Sequence, residues 1–254
     1  MWGDAERKMG KKRIITNMKI FKLILQKVAH CFHFFWYCVI YAICKICLPN
    51  KVIGKENIEK DDEARVFISN HLQIYGPVIT HISFPIKKKA TWSHEYMLDK
   101  DLIEKQLFVG FVEVQFKWIP KFIKKGIAKL LKHLIIYILK YRVHAVSISR
   151  DDTRKLVKTL QETSDRLNNG YAMMIFPELD YQETGLGEIS SSFTLIAKYY
   201  YKNFNKKVSF YPVYVNKKKK RTFIGKPIKF NPDDENYSEN ISNYIVEQIN
   251  DMSK

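Results

Sequence analysis

Cysteine is scarce and confined. The chain has 254 residues and four cysteines, Cys31, Cys38, Cys44 and Cys47, all inside one apolar stretch. Their absence elsewhere excludes a disulfide-stapled secreted domain. Cys44 and Cys47 form a C-x2-C, but Ile43, Ile46 and Leu48 surround them, and no second pair or histidine cluster completes a tetrahedral zinc site. Glycine and proline number ten and eight, with no Gly/Ser/Pro-rich run to separate two domains. With 46% hydrophobic residues, the chain is expected to bury one sizeable core. Acid is the third shortage: Asp and Glu total 26 against 43 Lys and Arg, a formal charge of +17. Such a surface attracts polyanions, whether nucleic acid, anionic lipid, or phosphorylated and CoA-type ligands. Nucleic acid is the weakest of these readings, because no helix-turn-helix, zinc-module or RNA-recognition signature accompanies the charge.

Charge is also missing locally. Val28 to Cys44 (VAHCFHFFWYCVIYAIC) contains no Lys, Arg, Asp or Glu across 17 residues, the lower edge of what a helix needs to cross a hydrocarbon core of roughly 30 Å. The preceding segment is basic (Arg7, Lys8, Lys11, Lys12, Arg13, Lys19, Lys22, Lys27), which would hold that end at the cytoplasmic face. Residues 1–49 therefore read as a basic segment and a membrane-associating helix. Trp36, Tyr37 and Tyr41 suit a headgroup-level placement, and spanning, interfacial and buried-core readings remain open. A second stretch, Trp118 to Tyr141, sets Ile119, Ile123, Ile127, Leu130, Leu134, Ile138 and Tyr141 at intervals of three or four, with Lys121, Lys125, Lys129, Lys132 and Lys140 opposite. This is a basic amphipathic helix at about 118–142, and anionic membrane lipids are its expected partner, with a helix covering the core as the alternative.

From residue 50 to 254 strands alternate with helices. RVFISN (65–70), HAVSIS (144–149), YAMMIF (171–176), KVSFYPVYV (207–215) and RTFIGKPIKF (221–230) read as strands. Pro77 onward, 153–170 and Ser238 to Met252 read as helices, the first with Gly76 as its N-cap. This pattern predicts a single α/β domain, a mixed, largely parallel sheet flanked by helices, with function at the strand ends.

Three strand ends carry polar groups: Asn70-His71, Ser149-Arg150 and Pro177-Glu178. In order, the chain reads NHLQIYG, VSISR, IFPELDY and FYPVYV, after a lead-in VIGKENI at 52–58. Over about residues 50–230 this resembles the glycerolipid (lysophospholipid) acyltransferase family, whose signature runs N-H-x4-D, a strand ending near an arginine, F-P-E-G-T-R, and a hydrophobic V-x-P-V strand. The resemblance implies transfer of a fatty acyl group from acyl-CoA or acyl carrier protein to a hydroxyl of a lysophospholipid or another lipid or sugar acceptor, with no cofactor and no metal. By position His71 is the general base, a role that suits an imidazole whose ordinary pKa lies near neutrality. Glu178 joins it as catalytic, and Asn70, Arg150 and Pro177 fall at substrate-binding positions.

Two departures matter. The family's orienting aspartate, five residues after the histidine, is Gly76 here, and Leu179, Asp180 and Tyr181 replace the Gly, Thr and Arg of the third motif. Three outcomes stay open: a catalytically impaired lipid- or thioester-binding relative, recruitment of another carboxylate (Glu95, Asp99, Asp101 or Glu178), or orientation of His71 by a backbone carbonyl. If the acid alone is missing, Gly76→Asp is expected to raise activity. Arg150 is left to grip a phosphate. His81, His94, His133 and His144 share no ligand spacing with His71 and read as structural or surface residues.

Overall fold

The structure is a computed structural model that describes residues 2–60, 64–113, 116–149, 152–179 and 187–254. The chain divides into two units, Met1–Ile43 and Cys44–Lys254, with the division inside the N-terminal helix. That helix, α1 (Trp2–Cys47), is one continuous element of 46 residues. Its stretch from Ile15 to Cys47 is long and apolar enough to cross a membrane, by length and composition. Its 33 residues measure ~50 Å at the helical rise, more than a hydrocarbon core requires. The charge-free segment is only the carboxyl-terminal half of a longer apolar rod, because the lysines at 19, 22 and 27 do not interrupt its helical geometry.

The second unit is built on β1 (Lys51–Ile53), β2 (Ala64–Ser69), β3 (Lys89–His94), β4 (Val146–Ile148), β5 (Ala172–Ile175), β6 (Val208–Asn216), β7 (Arg221–Ile224) and β8 (Ile228–Lys229). Among the described residues these join one sheet in the order β1-β7-β6-β2-β5-β3-β4, with β8 also on β6. β2 lies parallel to β5 and β6, β3 lies parallel to β5 and β4, and β7 and β8 are antiparallel to β6. The expected mixed, largely parallel sheet is present. Helices α2 (Tyr75–Ser83), α3 (Lys100–Leu107), α4 (Lys121–Tyr137), α5 (Thr153–Asn168), α6 (Leu195–Phe204) and α7 (Tyr237–Ser253) connect and flank it.

Strands β2, β5 and β6 are apolar on both faces because both are covered. Val66, Ile68, Met173, Ile175, Val208 and Phe210 pack with Phe193, Ile196 and Tyr200 around α6 and with Ile241, Ile245 and Ile249 of α7. The last three recur every four residues, one stripe of a helix. The alternate residues Phe67, Met174, Tyr211 and Val213 meet Phe84 on the opposite face, and Phe67 stacks on Tyr211 at 4.7 Å between ring centroids.

Helix α4 corrects the sequence expectation about which face is buried. Lys132, assigned to the polar side, is only 8% exposed and pairs with Glu104 of α3. Ile123 and Leu130, assigned to the apolar seam, are 42% and 63% exposed. The Lys132–Glu104 pair ties the helix to α3, Ala128 is buried, and Ile119, Ile127, Leu134 and Ile138 are half-buried, so the expected seam is only partly covered. Helix α2 begins at Tyr75 with Ile74 as N-cap, two residues earlier than Gly76-Pro77 suggests.

His81 of α2 is half-buried, and its pKa is pushed down to about 4, first by burial and then by Lys89, Arg142 and His144. Because the folded value lies below the unfolded one, this group's stabilising contribution is complete above about pH 6.5 and is lost as pH falls toward 4. Urea midpoints are expected to drop across that window by the equivalent of about 2–3 kcal/mol, since each pK unit is worth about 1.4 kcal/mol. The slope should flatten in His81→Gln.

Candidate functional site

The parallel ladder brings the predicted polar positions to one edge. Ile68 of β2 is level with Ile175 of β5, Thr91 of β3 with Met174 of β5, and His94 with Ile148 of β4. Extending each register by a few residues puts His71, Glu178, Glu95 and Ser149 at one level across four neighbouring strands. All four stand at the carboxyl ends, where loops leave an open α/β sheet and ligands bind. At about 4.8 Å per strand, the line runs roughly 15 Å.

Asn70 departs from its expected substrate-binding role. It is 1% exposed, its Nδ2 donates to the Val215 carbonyl at 3.1 Å, and its Oδ1 accepts the Val215 N–H at 2.8 Å. The amide thus continues the β2–β6 ladder for one more rung while the backbone turns away, and so sets where His71 emerges. Both Asn70→Ala and Asn70→Asp are expected to lower the unfolding free energy by about 2–3 kcal/mol in urea titrations. Alanine strands a buried donor and acceptor, and a carboxylate cannot donate to the carbonyl.

His71 is half-buried, edge-on to Phe176 with ring centroids 5.3 Å apart. Its backbone N–H donates to Glu178 Oε2 at 3.0 Å. Leu72 and Gln73 follow with φ of 47° and 55°, a left-handed pair that costs non-glycine residues of order 1–3 kcal/mol each and marks an over-determined loop. The buried Leu72 side chain holds this loop down, and its carbonyl accepts the Tyr75 N–H at 3.1 Å as α2 starts. Gly76 is packed beneath: a Cβ there would lie 2.2 Å from the His71 carbonyl oxygen and 3.1 Å from that of Asn70. The glycine permits a close backbone approach that no other residue allows. Position 76 therefore has no room for a side chain while the turn keeps this form.

Glu178 is 6% exposed. Besides the His71 N–H it accepts the Gly187 N–H at 3.5 Å, and it bridges antiparallel to Ile189. Burial pushes its pKa above the usual carboxylate range, and the two N–H donors oppose that shift. It ties the His71 loop to the segment after β5, a positioning role reached through the backbone. Pro177 is likewise buried, with its carbonyl accepting the Ser190 N–H at 3.0 Å, so this predicted substrate contact serves as a structural anchor.

Of the other candidate acids, Glu95 takes Lys155 of α5 at 2.7 Å and the Ser149 hydroxyl at 3.4 Å. The lysine holds its carboxyl below the ordinary range. Asp99 caps α3 by accepting the N–H groups of Asp101 and Leu102, and Asp101 lies exposed in the first turn of that helix. Arg150, Asp180 and Tyr181 lie outside the described residues.

Sequence reasoning missed Lys217. The lysine turn after β6 reads as a solvated tip, yet β6 runs parallel beside β2, so that turn opens on the same edge as His71. Lys217 Nζ stands 5.4 Å from the centroid of the Tyr75 ring. Adjacent parallel strands were the missing signal, because strand order is not written in local pattern.

No family model and no curated protein matches the chain. Among solved structures it is similar to the 1-acyl-sn-glycerophosphate (LPA) acyltransferase PlsC from Thermotoga maritima, with 16% sequence identity and a TM-score of 0.47, over 80% of this chain and 72% of that one.

Proposed function

We propose that the protein is a membrane-associated O-acyltransferase that moves a fatty acyl group from an acyl thioester to a lipid or sugar hydroxyl, with His71 as general base. The carrying observation is the meeting of the His71 and Glu178 loops at the carboxyl ends of two adjacent parallel strands, secured by the His71 N–H to Glu178 hydrogen bond. The imidazole accepts the proton of the acceptor hydroxyl, the oxygen attacks the thioester carbonyl carbon, and the C–S bond breaks as the ester forms. The proton passes from imidazolium to the departing thiolate, so thiol and ester are the products. The donor is acyl-CoA or acyl carrier protein, and no cofactor enters. The Lys217 turn, on the same edge as His71, supports a substrate that carries an anionic group. Residues Ile15–Cys47 would hold the protein at a membrane, facing the cytoplasm.

The test is thiol release from acyl-CoA and acyl carrier protein, with a panel of lysophospholipid and sugar acceptors, on full-length protein in vesicles. Acceptor-dependent thiol and ester in equal amounts are expected. Thioester binding without turnover would replace this reading with that of a non-catalytic binder, the reading that Gly76 favours.

A further inference from the structure

An exposed apolar row on α4 is unexplained by the site at the carboxyl edge. Trp118, just before the helix, is 82% exposed, Phe122 is 75% exposed and Leu130 63%. Phe122, Gly126 and Leu130 follow one another at intervals of four and share a face. At Gly126 an added Cβ would meet nothing within 4 Å, so the middle of that face is open. Lys121, Lys125 and Lys129, also exposed, border the stripe. Leu102 of α3 and Val109, two residues past that helix, are exposed as well.

Large apolar side chains set out in a row cost solubility, and a soluble surface rarely groups them. Here a lysine is buried against Glu104, while apolar residues of the same helix stay outside. Reversing the helix about its axis would bury the apolar stripe but leave that ion pair broken. An aqueous environment offers no reason for the observed choice; an apolar phase rimmed by negative charge does.

We infer that the stripe of α4, led by Trp118 and Phe122, docks into the headgroup region of an anionic bilayer. The charge complementarity selects this occupant: the bordering groups are lysines, whose stems lie along apolar surface while their ammonium heads reach lipid phosphates. Trp118 suits the same depth, with an apolar ring and one N–H donor. Each lysine near an anionic surface contributes roughly a five-fold gain in occupancy at low salt, and the gain fades as salt screens it. Binding of this kind goes beyond the N-terminal helix, because it applies to the catalytic unit itself.

The test reads the helix directly in the full chain, so that anchoring by α1 does not obscure it. An environment-sensitive NBD label is placed at Phe122→Cys in a chain whose four cysteines are replaced by serine, with a label at Lys158→Cys of α5 as reference. With vesicles of phosphatidylcholine containing about a third phosphatidylglycerol, emission from position 122 is expected to shift to the blue and rise several-fold. It should return toward the aqueous value in high salt, while position 158 stays unchanged. Phosphatidylcholine alone should give a much smaller change. In the unmodified chain, hydrogen exchange across residues 116–131 should slow with the anionic vesicles only, which guards against misfolding of the labelled protein. Equal shifts in neutral and anionic vesicles, or no shift in either, would overturn the inference. So would a shift in lipid-free detergent that grows with protein concentration, which would make a second copy of the chain the occupant. None of these readouts depends on acyl transfer.

Discussion

Gly76→Asp loses stability and gains no activity. A simple restoration of the orienting acid would require room for a side chain at position 76, and the turn has none. The first atom of that side chain would lie 2.2 Å from the His71 carbonyl oxygen and 2.9 Å from its carbonyl carbon. Both are backbone atoms of a loop held by Asn70 above and by the Thr80 hydroxyl on the Gly76 carbonyl below. Relief must therefore come from moving the loop that presents His71. Overpacking typically costs 1–3 kcal/mol, and introducing a carboxylate against two carbonyl oxygens adds repulsion and desolvation. The expected loss in urea unfolding is about 3–5 kcal/mol for Asp, and more than half of it should appear in Gly76→Ala, which adds the clash without the charge. An aspartate variant as stable as the parent and faster in acyl transfer would show that the turn opens readily, and would overturn this reading.

His71→Gln is expected to behave in the opposite way. Turnover should fall by about 10²–10⁴, the usual contribution of a positioned general base, while the urea midpoint changes by the equivalent of about 1 kcal/mol or less. The separation follows from how the residue is held. Glu178 grips the backbone N–H, which glutamine retains, and the half-buried ring meets Phe176 edge-on. The control is Asn70→Ala, which should show loss of stability together with activity because it releases the strand end itself. If His71→Gln kept full acceptor-dependent thiol release, His71 would be part of the framework and the base would lie elsewhere.

Much of the second unit is legible in the primary structure. The alternation of apolar runs with helical periods implies an α/β sheet, and YAMMIF and FYPVYV, apolar on consecutive positions, belong to strands covered on both faces. Strand β3 (KATWSH) and helix α6 escape that reading. The first mixes polar and apolar residues, and the second is too rich in tyrosine to display a clean stripe. Asn70 reads from sequence as a residue available to a ligand, but a buried amide facing a strand end finds its best partners in the neighbouring backbone. Arg150 keeps its place after β4 in the chain and lies outside the described residues.

By itself, the order of residues determined the strand-helix alternation, the apolar length of α1 and the presence of His71 and Glu178 at strand ends, because each follows from local period and composition. The tertiary structure decided which of those ends are neighbours, that Lys217 shares their edge, that Gly76 packs against the His71 turn, and which residues of α4 meet solvent. These outcomes depend on pairing between segments more than a hundred residues apart, such as Asn70 with Val215 and His71 with Glu178. Such pairing is settled by the competition of whole faces for burial, which no short window of sequence contains.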